Sequence, residues 1–249
     1  MDERITITIR RDLLERVDKL VDKKKVRSRS HAFEIIMTEY FNKFRIKNAV
    51  IQCGGEKPNF DRLVHGKVVL NHIIDFLKNE GIENIYVTVS RDNKKKVKDL
   101  VKEDKIKIIE ESEPLGTGGA LKSLRNKLRD TFFVVNGDVY FDLNLKDLLL
   151  FHRMNDGLMT LCLTSVKEPL DYGVAKMRGS KIIEFVEKPK MASSYLVNAG
   201  IFLAEPEMFN FMSPKEKISL EYDVLPNIAK SERLFGYLLS GKWMDVGKS

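Results

Sequence analysis

An α/β fold on a mixed sheet, preceded by a small strand–helix–helix module, is the architecture this sequence predicts. Three observations predict it. From Asn48 onward, short apolar strand runs alternate with amphipathic helical stretches, the pattern of a parallel sheet with ligands at the carboxyl ends of its strands. Past Met159 the segments become β-rich, so the sheet is mixed. Ahead of Asn48, a strictly alternating run leads into two helical patterns, and the first 48 residues hold 13 Lys/Arg against 8 Asp/Glu, while the rest hold 30 against 28. The join falls near Phe44–Lys47, giving a head of residues 1–46 and a body of residues 47–249.

In the head, Arg4-Ile-Thr-Ile-Thr-Ile9 places Ile5, Ile7 and Ile9 on one face and Arg4, Thr6 and Thr8 on the other, a half-buried strand. Leu13, Leu14, Val17, Leu20 and Val21 follow at helical spacing. Beyond Lys23-Lys-Lys25, Ser28 is a good N-cap for a second helix carrying Ala32, Ile35, Ile36, Met37, Tyr40 and Phe41. A lone strand and two helices are too little to bury a core and leave a strand edge bare, so two copies are expected to pair. The charge excess points to an anionic polymer partner or, more plainly, to a solvated helical face.

The body reads in order as strand Ala49–Cys53, helix Val69–Asn79 closed by Gly81, strand Ile85–Val89, a lysine-rich helix through Leu100 and Val101, and strand Ile106–Glu110. A turn with Gly116, Gly118 and Gly119 leads into a helix at Ala120–Leu128. Strand Phe132–Asn136 ends in Gly137-Asp138, and the β-rich part holds Met159–Val166, Tyr172–Met177, Ile182–Val186 and Val197–Leu203. No stretch approaches the ~20 apolar residues of a membrane span. Met1-Asp-Glu-Arg4 lacks the basic-then-apolar signal pattern. Cys53 and Cys162 sit in separate apolar runs as buried thiols, which implies a reducing, cytoplasmic setting.

Gly54-Gly55, at the end of the first body strand, starts a candidate phosphate loop, because glycine lets backbone N–H groups approach an anion. Asp138 and Asp245 are strand-end carboxylates of the kind that hold Mg²⁺ beside substrate phosphates; each alone also reads as a turn residue. Lys188, held out of a helix by Pro189, offers a cation. Pro114-Leu-Gly116-Thr-Gly-Gly119 offers backbone to a flat ring, or is a plain loop-to-helix turn.

Residues 3–44 resemble the ribbon-helix-helix DNA-binding family, whose paired strands enter the major groove. The resemblance implies duplex DNA as partner, a homodimer or higher even-numbered oligomer, base reading by Arg4, Thr6 and Thr8, and phosphate held by N–H groups around Ser28, Arg29 and Ser30. A dimerisation clip is the alternative. His31 stands where relatives often carry a capping Glu, and a weaker cap is expected.

From Asn48 onward the chain resembles the sugar-phosphate nucleotidyltransferases, a Rossmann-like, glycosyltransferase-A-like fold. The landmarks are Gly54-Gly55 after a strand, Pro114-Leu-Gly-Thr-Gly-Gly-Ala120, Asn136-Gly-Asp138, Tyr172-Gly-Val174, Val186-Glu-Lys-Pro189, Asn198-Ala-Gly200, Ser219-Leu-Glu221 and Trp243-Met-Asp-Val-Gly247. The resemblance implies Mg²⁺ on Asp138 and Asp245, the sugar phosphate on Lys188, and a sugar pocket of Glu187, Tyr172, Gly173 and Asn198. Glu111, Pro114 and Gly116 border the base, with Gly54 and Gly55 beside the nucleoside and its α-phosphate.

The chain departs from the family at the loop. Only Glu56–His65 separate Gly55 from the closing Gly66-Lys67, and the family's further glycine, its Arg and its Lys are missing from their usual places. Arg62-Leu63 and Lys57-Pro58 read as displaced remnants. The match also stops soon after the Asp245 motif, where relatives continue. The expectation is a DNA-binding regulator whose body binds a nucleotide, a sugar 1-phosphate or a nucleotide-sugar. The alternative is an active Mg²⁺-dependent nucleotidyltransferase releasing pyrophosphate, and a ligand-independent scaffold explains least.

Overall fold

Leucines and valines at helical spacing form α1 (Arg11–Leu20), and α2 (Arg29–Lys43) follows after a basic turn. The computed structural model describes residues 5–43, 45–55, 59–101 and 106–248, in two units, Met1–Arg45 and Ile46–Ser249. In the first unit, Asp22 Oδ1 gathers the turn by accepting from the N–H groups of Lys24, Lys25 and Val26. Arg29 ties the helices together, donating from Nε and Nη2 to the two carboxylate oxygens of Asp18 at 2.6 and 2.8 Å. Val17 and Ala32 are the buried apolar residues of this unit among those described.

The strand expected over Arg4–Ile9 is not formed in its described part. Residues 5–10 lie outside any ladder, and Ile5 and Ile7 are 71% and 55% exposed. The physical reason is that a single strand has no partner to bond within one copy of the chain. Arg4 lies outside the described residues.

The second unit opens with β1 (Asn48–Cys53), a run buried on both faces, as strands sandwiched between helices are. In chain order come β2 (Leu63–Val64), β3 (Lys67–Val68), α3 (Val69–Asn79), β4 (Asn84–Ser90), α4 (Lys94–Leu100), β5 (Ile106–Glu111), α5 (Gly116–Lys122), β6 (Phe132–Asn136) and β7 (Val139–Phe141). They are followed by α6 (Leu145–Asn155), β8 (Met159–Ser165), β9 (Gly173–Arg178), β10 (Lys181–Glu187), β11 (Leu196–Ala204), α7 (Leu225–Lys230), β12 (Leu234–Leu238) and β13 (Trp243–Asp245).

Nine strands form one sheet in the order β5-β4-β1-β6-β11-β8-β12-β10-β9. β5, β4, β1 and β6 run parallel, while β11 pairs antiparallel with β6 and β8. The sheet is therefore mixed, as the β-rich second half foretold. The chain leaves β1 toward β4 and β5, then returns to place β6 on the other side of β1. That reversal opens a crevice at the carboxyl ends of β1 and β6. Alternate residues feed two cores: Ala49, Ile51, Phe133 and Val135 pack with Leu70, Ile73 and Leu148, whereas Val50, Phe132 and Val134 pack with Leu121, Leu161 and Ile228.

The glycine-rich helix differs from its expected span. It begins at Gly116 and ends at Lys122, with residues 123–127 in turns. α6, capped by Asn144 Oδ1 accepting from the N–H groups of Lys146 and Asp147, was not foreseen from the apolar pattern.

Candidate functional site

Parallel strands point their carboxyl ends at one rim, and here that rim is polar. Register sets Gln52 beside Thr88 on one side and Asn136 on the other, a polar row across β4, β1 and β6. These three residues floor a cavity of about 270 Å³ that Gly54, Gly55, Glu111, Pro114, Gly116 and Asp138 also line. Gln52 Nε2 donates to the Thr117 carbonyl at 2.8 Å. Glu111, at the end of β5, is held above the ordinary carboxyl value by burial. Thr88 Oγ1 is buried without a hydrogen-bond partner among the described residues.

The glycine loop is shaped by what it touches. Gly116 has φ +74°, and a Cβ there would meet the Ile218 carbonyl oxygen at 2.6 Å, so only glycine fits. Its neighbour Thr117 donates from Oγ1 to Glu221 Oε2 at 2.6 Å and accepts from the Leu220 N–H. Ser219 Oγ donates to the same carboxylate oxygen.

A second cluster adjoins the cavity through Asp138. β13 pairs antiparallel with β7, Asp245 opposite Val139, and the Val246 N–H donates to the Asp138 carbonyl at 3.0 Å. The pairing brings two carboxylates together: Asp138 is pushed up by burial and then by the charge of Asp245. Asp245 also acts, after burial, to raise the Tyr172 phenol. Lys248 Nζ lies 3.4 Å from the centre of the Tyr172 ring and donates to the Asp171 carbonyl. Glu187 is pushed up to about 7, first by burial and next by Glu221, with Lys188 and Lys248 pulling the other way. Lys188, at φ +45°, donates its N–H to the Tyr172 carbonyl. A Cβ on Gly173 would meet Phe185 Cζ at 2.3 Å and Glu187 Oε2 at 2.7 Å, so the missing side chain makes room for that carboxylate. Asn198, on β11 where Val197 pairs with Val174, turns Oδ1 back to accept from the Gly200 N–H.

The protein-family model described as nucleotidyl transferase matches residues 53–249. The chain belongs to that family. It is 35% identical over 193 residues to "Mannose-1-phosphate guanylyltransferase 1" of Arabidopsis thaliana, covering 73% of this chain and 53% of the relative. It is 33% identical over 192 residues to the mannose-1-phosphate guanylyltransferase catalytic subunit beta of Danio rerio, covering 73% and 53%. The chain thus spans about half the length of these relatives. Among solved structures, HddC from Yersinia pseudotuberculosis superposes with TM-score 0.68 at 24% identity over 81% of this chain and 94% of HddC, a likeness of fold. A second HddC structure, complexed with GMP-PN, gives TM-score 0.67 at 23% identity over the same shares.

Within this nucleotidyl transferase fold, the nucleotide-side residues expected from sequence line one cavity, Asp245 comes beside Asp138, and Tyr172, next to Asp245, adjoins Gly173, Glu187 and Lys188. The donor set suits a hard divalent cation: Asp138 and Asp245 are adjacent carboxylates, and the charge of Asp245, after burial, holds Asp138 above the ordinary carboxyl value. No group of three or more His, Cys, Asp or Glu residues converges for a metal among the described residues; a cation sharing substrate phosphates needs only one or two carboxylates. Thr117, Glu221, Gln52, Thr88 and Lys217 were missed. Thr117 and Glu221 sat inside quoted motifs, but their pairing across 104 positions has no sequence signature.

Lys67 pairs with Asp75, Arg62 is exposed and does not line the cavity, and Lys57-Pro58 lies outside the described residues. In the head, Thr6, Thr8 and Ser30 are exposed, and Ser28 Oγ accepts from the His31 N–H at 3.2 Å. His31 Nδ1 accepts from the Arg27 N–H at 3.2 Å, one residue before the cap. The Arg29 guanidinium is engaged by Asp18. No described helix is long and apolar enough to cross a membrane.

Proposed function

We propose that the body joins a nucleoside triphosphate to a sugar 1-phosphate, with Mg²⁺, and releases pyrophosphate. The convergence of Asp138 and Asp245 where the cavity meets the second cluster carries this reading. The names of the relatives make GTP and mannose 1-phosphate the first pair to try, and Glu111, when ionised, offers an acceptor for the N–H edge of guanine.

Gly54 and Gly55 bring backbone to the nucleoside and α-phosphate, with Pro114 and Gly116 against the base. Tyr172, Gly173, Glu187 and Asn198 hold the sugar, and Lys188 its phosphate. A phosphate oxygen of the sugar attacks the α-phosphorus in line, the bond from that phosphorus to the β-bridging oxygen breaks, and pyrophosphate leaves. Such a transfer asks for alignment and neutralised charge more than for a protein base. Mg²⁺ on Asp138 and Asp245 would supply that neutralisation.

Purified protein with Mg²⁺, GTP and mannose 1-phosphate should release pyrophosphate, and Asp138→Ala should lower the rate by roughly 10³-fold or more, the scale of losing a main transition-state charge contact. No pyrophosphate from any pairing of NTPs and hexose 1-phosphates, with ligand-dependent thermal stabilisation retained, would leave a ligand sensor in place of an enzyme.

The exposed Ile5 and Ile7, on a run alternating with Thr6 and Thr8 where the first 48 residues hold 13 basic and 8 acidic residues, favour a second reading alongside the first. Two copies pairing these runs would cover the isoleucines and present Arg4, Thr6 and Thr8 to duplex DNA, with phosphate at Ser28, Arg29 and Ser30. The protein would then be a DNA-binding regulator as well as a transferase. The buried free thiols Cys53 and Cys162 suit a cytoplasmic setting.

A further inference from the structure

A transferase whose glycine loop lacks its usual cations needs positive charge for the outer phosphates from another source. Among the described residues lining the nucleotide cavity, Lys217 is the only lysine or arginine. Among the described residues, Lys67 is paired with Asp75, and Lys96 Nζ stands 2.6 Å from Asp61. Lys217 makes no hydrogen bond or ion pair with the described residues.

The backbone that carries it is pinned on both sides. Lys122 Nζ donates to three successive carbonyls, those of Ser213, Pro214 and Lys215, at 2.9, 3.0 and 2.8 Å. On the other side, the Ile218 carbonyl accepts from the N–H groups of Gly118 and Gly119 at 2.9 and 3.1 Å, and the Ile218 N–H donates to the Leu115 carbonyl at 2.9 Å. The loop is thus fastened to the helix that borders the base, with Lys217 at the cavity wall. An ammonium is a compact point charge that meets phosphate oxygens without the fixed fork of a guanidinium.

Resting on the nucleotidyl-transfer reading, we infer that Lys217 grips the β- and γ-phosphates of the bound nucleoside triphosphate, supplying from the 213–218 loop the charge that the shortened glycine loop lacks. The α-phosphate and nucleoside remain with Gly54, Gly55 and the cavity floor.

Calorimetric titration of the full chain with GTP and with GMP, in Mg²⁺, tests the assignment. The wild type should prefer GTP, and Lys217→Met should shrink that preference by roughly 10- to 100-fold, the range for one charged hydrogen-bonding contact, leaving GMP affinity and the melting temperature in place. Lys217→Arg should keep most of the preference. An undiminished GTP preference in Lys217→Met overturns the inference. So does an equal loss of GTP and GMP affinity, or a wild type that does not distinguish the two. Pyrophosphate release by the wild type judges the transfer reading separately, so the two can fail independently.

Discussion

Glu187 sits between burial and a like charge, Glu221, and its carboxyl is raised from 4.5 to about 7. A group raised on folding binds protons in the native state that the unfolded chain has released. Its contribution to stability is therefore present at low pH and is lost as pH climbs from about 4.5 through about 7. Glu187→Gln removes the titration and the repulsion together. Thermal melts from pH 5 to 8 should show a flatter profile for the variant and a melting temperature above the wild type at pH 8, by roughly 2–4 °C for each kcal/mol regained. An unaltered slope would place the charge conflict elsewhere. Under the proposed function, sugar binding should weaken in the same variant, because Glu187 is among the residues assigned to the sugar.

At the scale of elements, the contact between α5 and the 213–218 loop organises the cavity wall. Gly116→Ala places a methyl against the Ile218 carbonyl in a left-handed backbone, at a cost of about 1–3 kcal/mol for the strain alone. The melting temperature should fall, and the amides of Gly118 and Gly119, which bond the same carbonyl, should exchange faster. Exchange at the wild-type rate would mean the loop is held otherwise.

This element also marks where sequence reasoning ran out. Glycine is a poor helix former, so the helix was placed from Ala120, yet bonds to Ile218 fix it from Gly116. Strand-end motifs such as Asn136-Gly-Asp138 were legible, because an apolar run followed by a turn and a carboxylate is local. Lys217 and Glu221 were not, since their roles depend on segments that meet only in the folded chain. The edge-like run at Ile5–Ile9 was legible as an alternation, but a ladder needs a second strand that one copy lacks.

The whole molecule divides between Arg45 and Ile46, and each unit carries its own helices or sheet. A chain of residues 46–249 should keep its pyrophosphate release and lose affinity for duplex DNA. In the full chain, Arg4→Ala should weaken DNA binding and relax its sequence preference, as loss of a base contact does. Equal DNA affinity with and without the head would remove DNA from its partners. The strand that delivers Asp245 joins residues 243–245 to residues 139–141. In kinetic terms this is a long loop to close, and such pairings lag behind local ones during folding. The pairing that sets Asp245 beside Asp138 therefore belongs with the late contacts, as does the seating of the 213–218 loop on α5, and both trail the nearer β1–β4 and β4–β5 pairs.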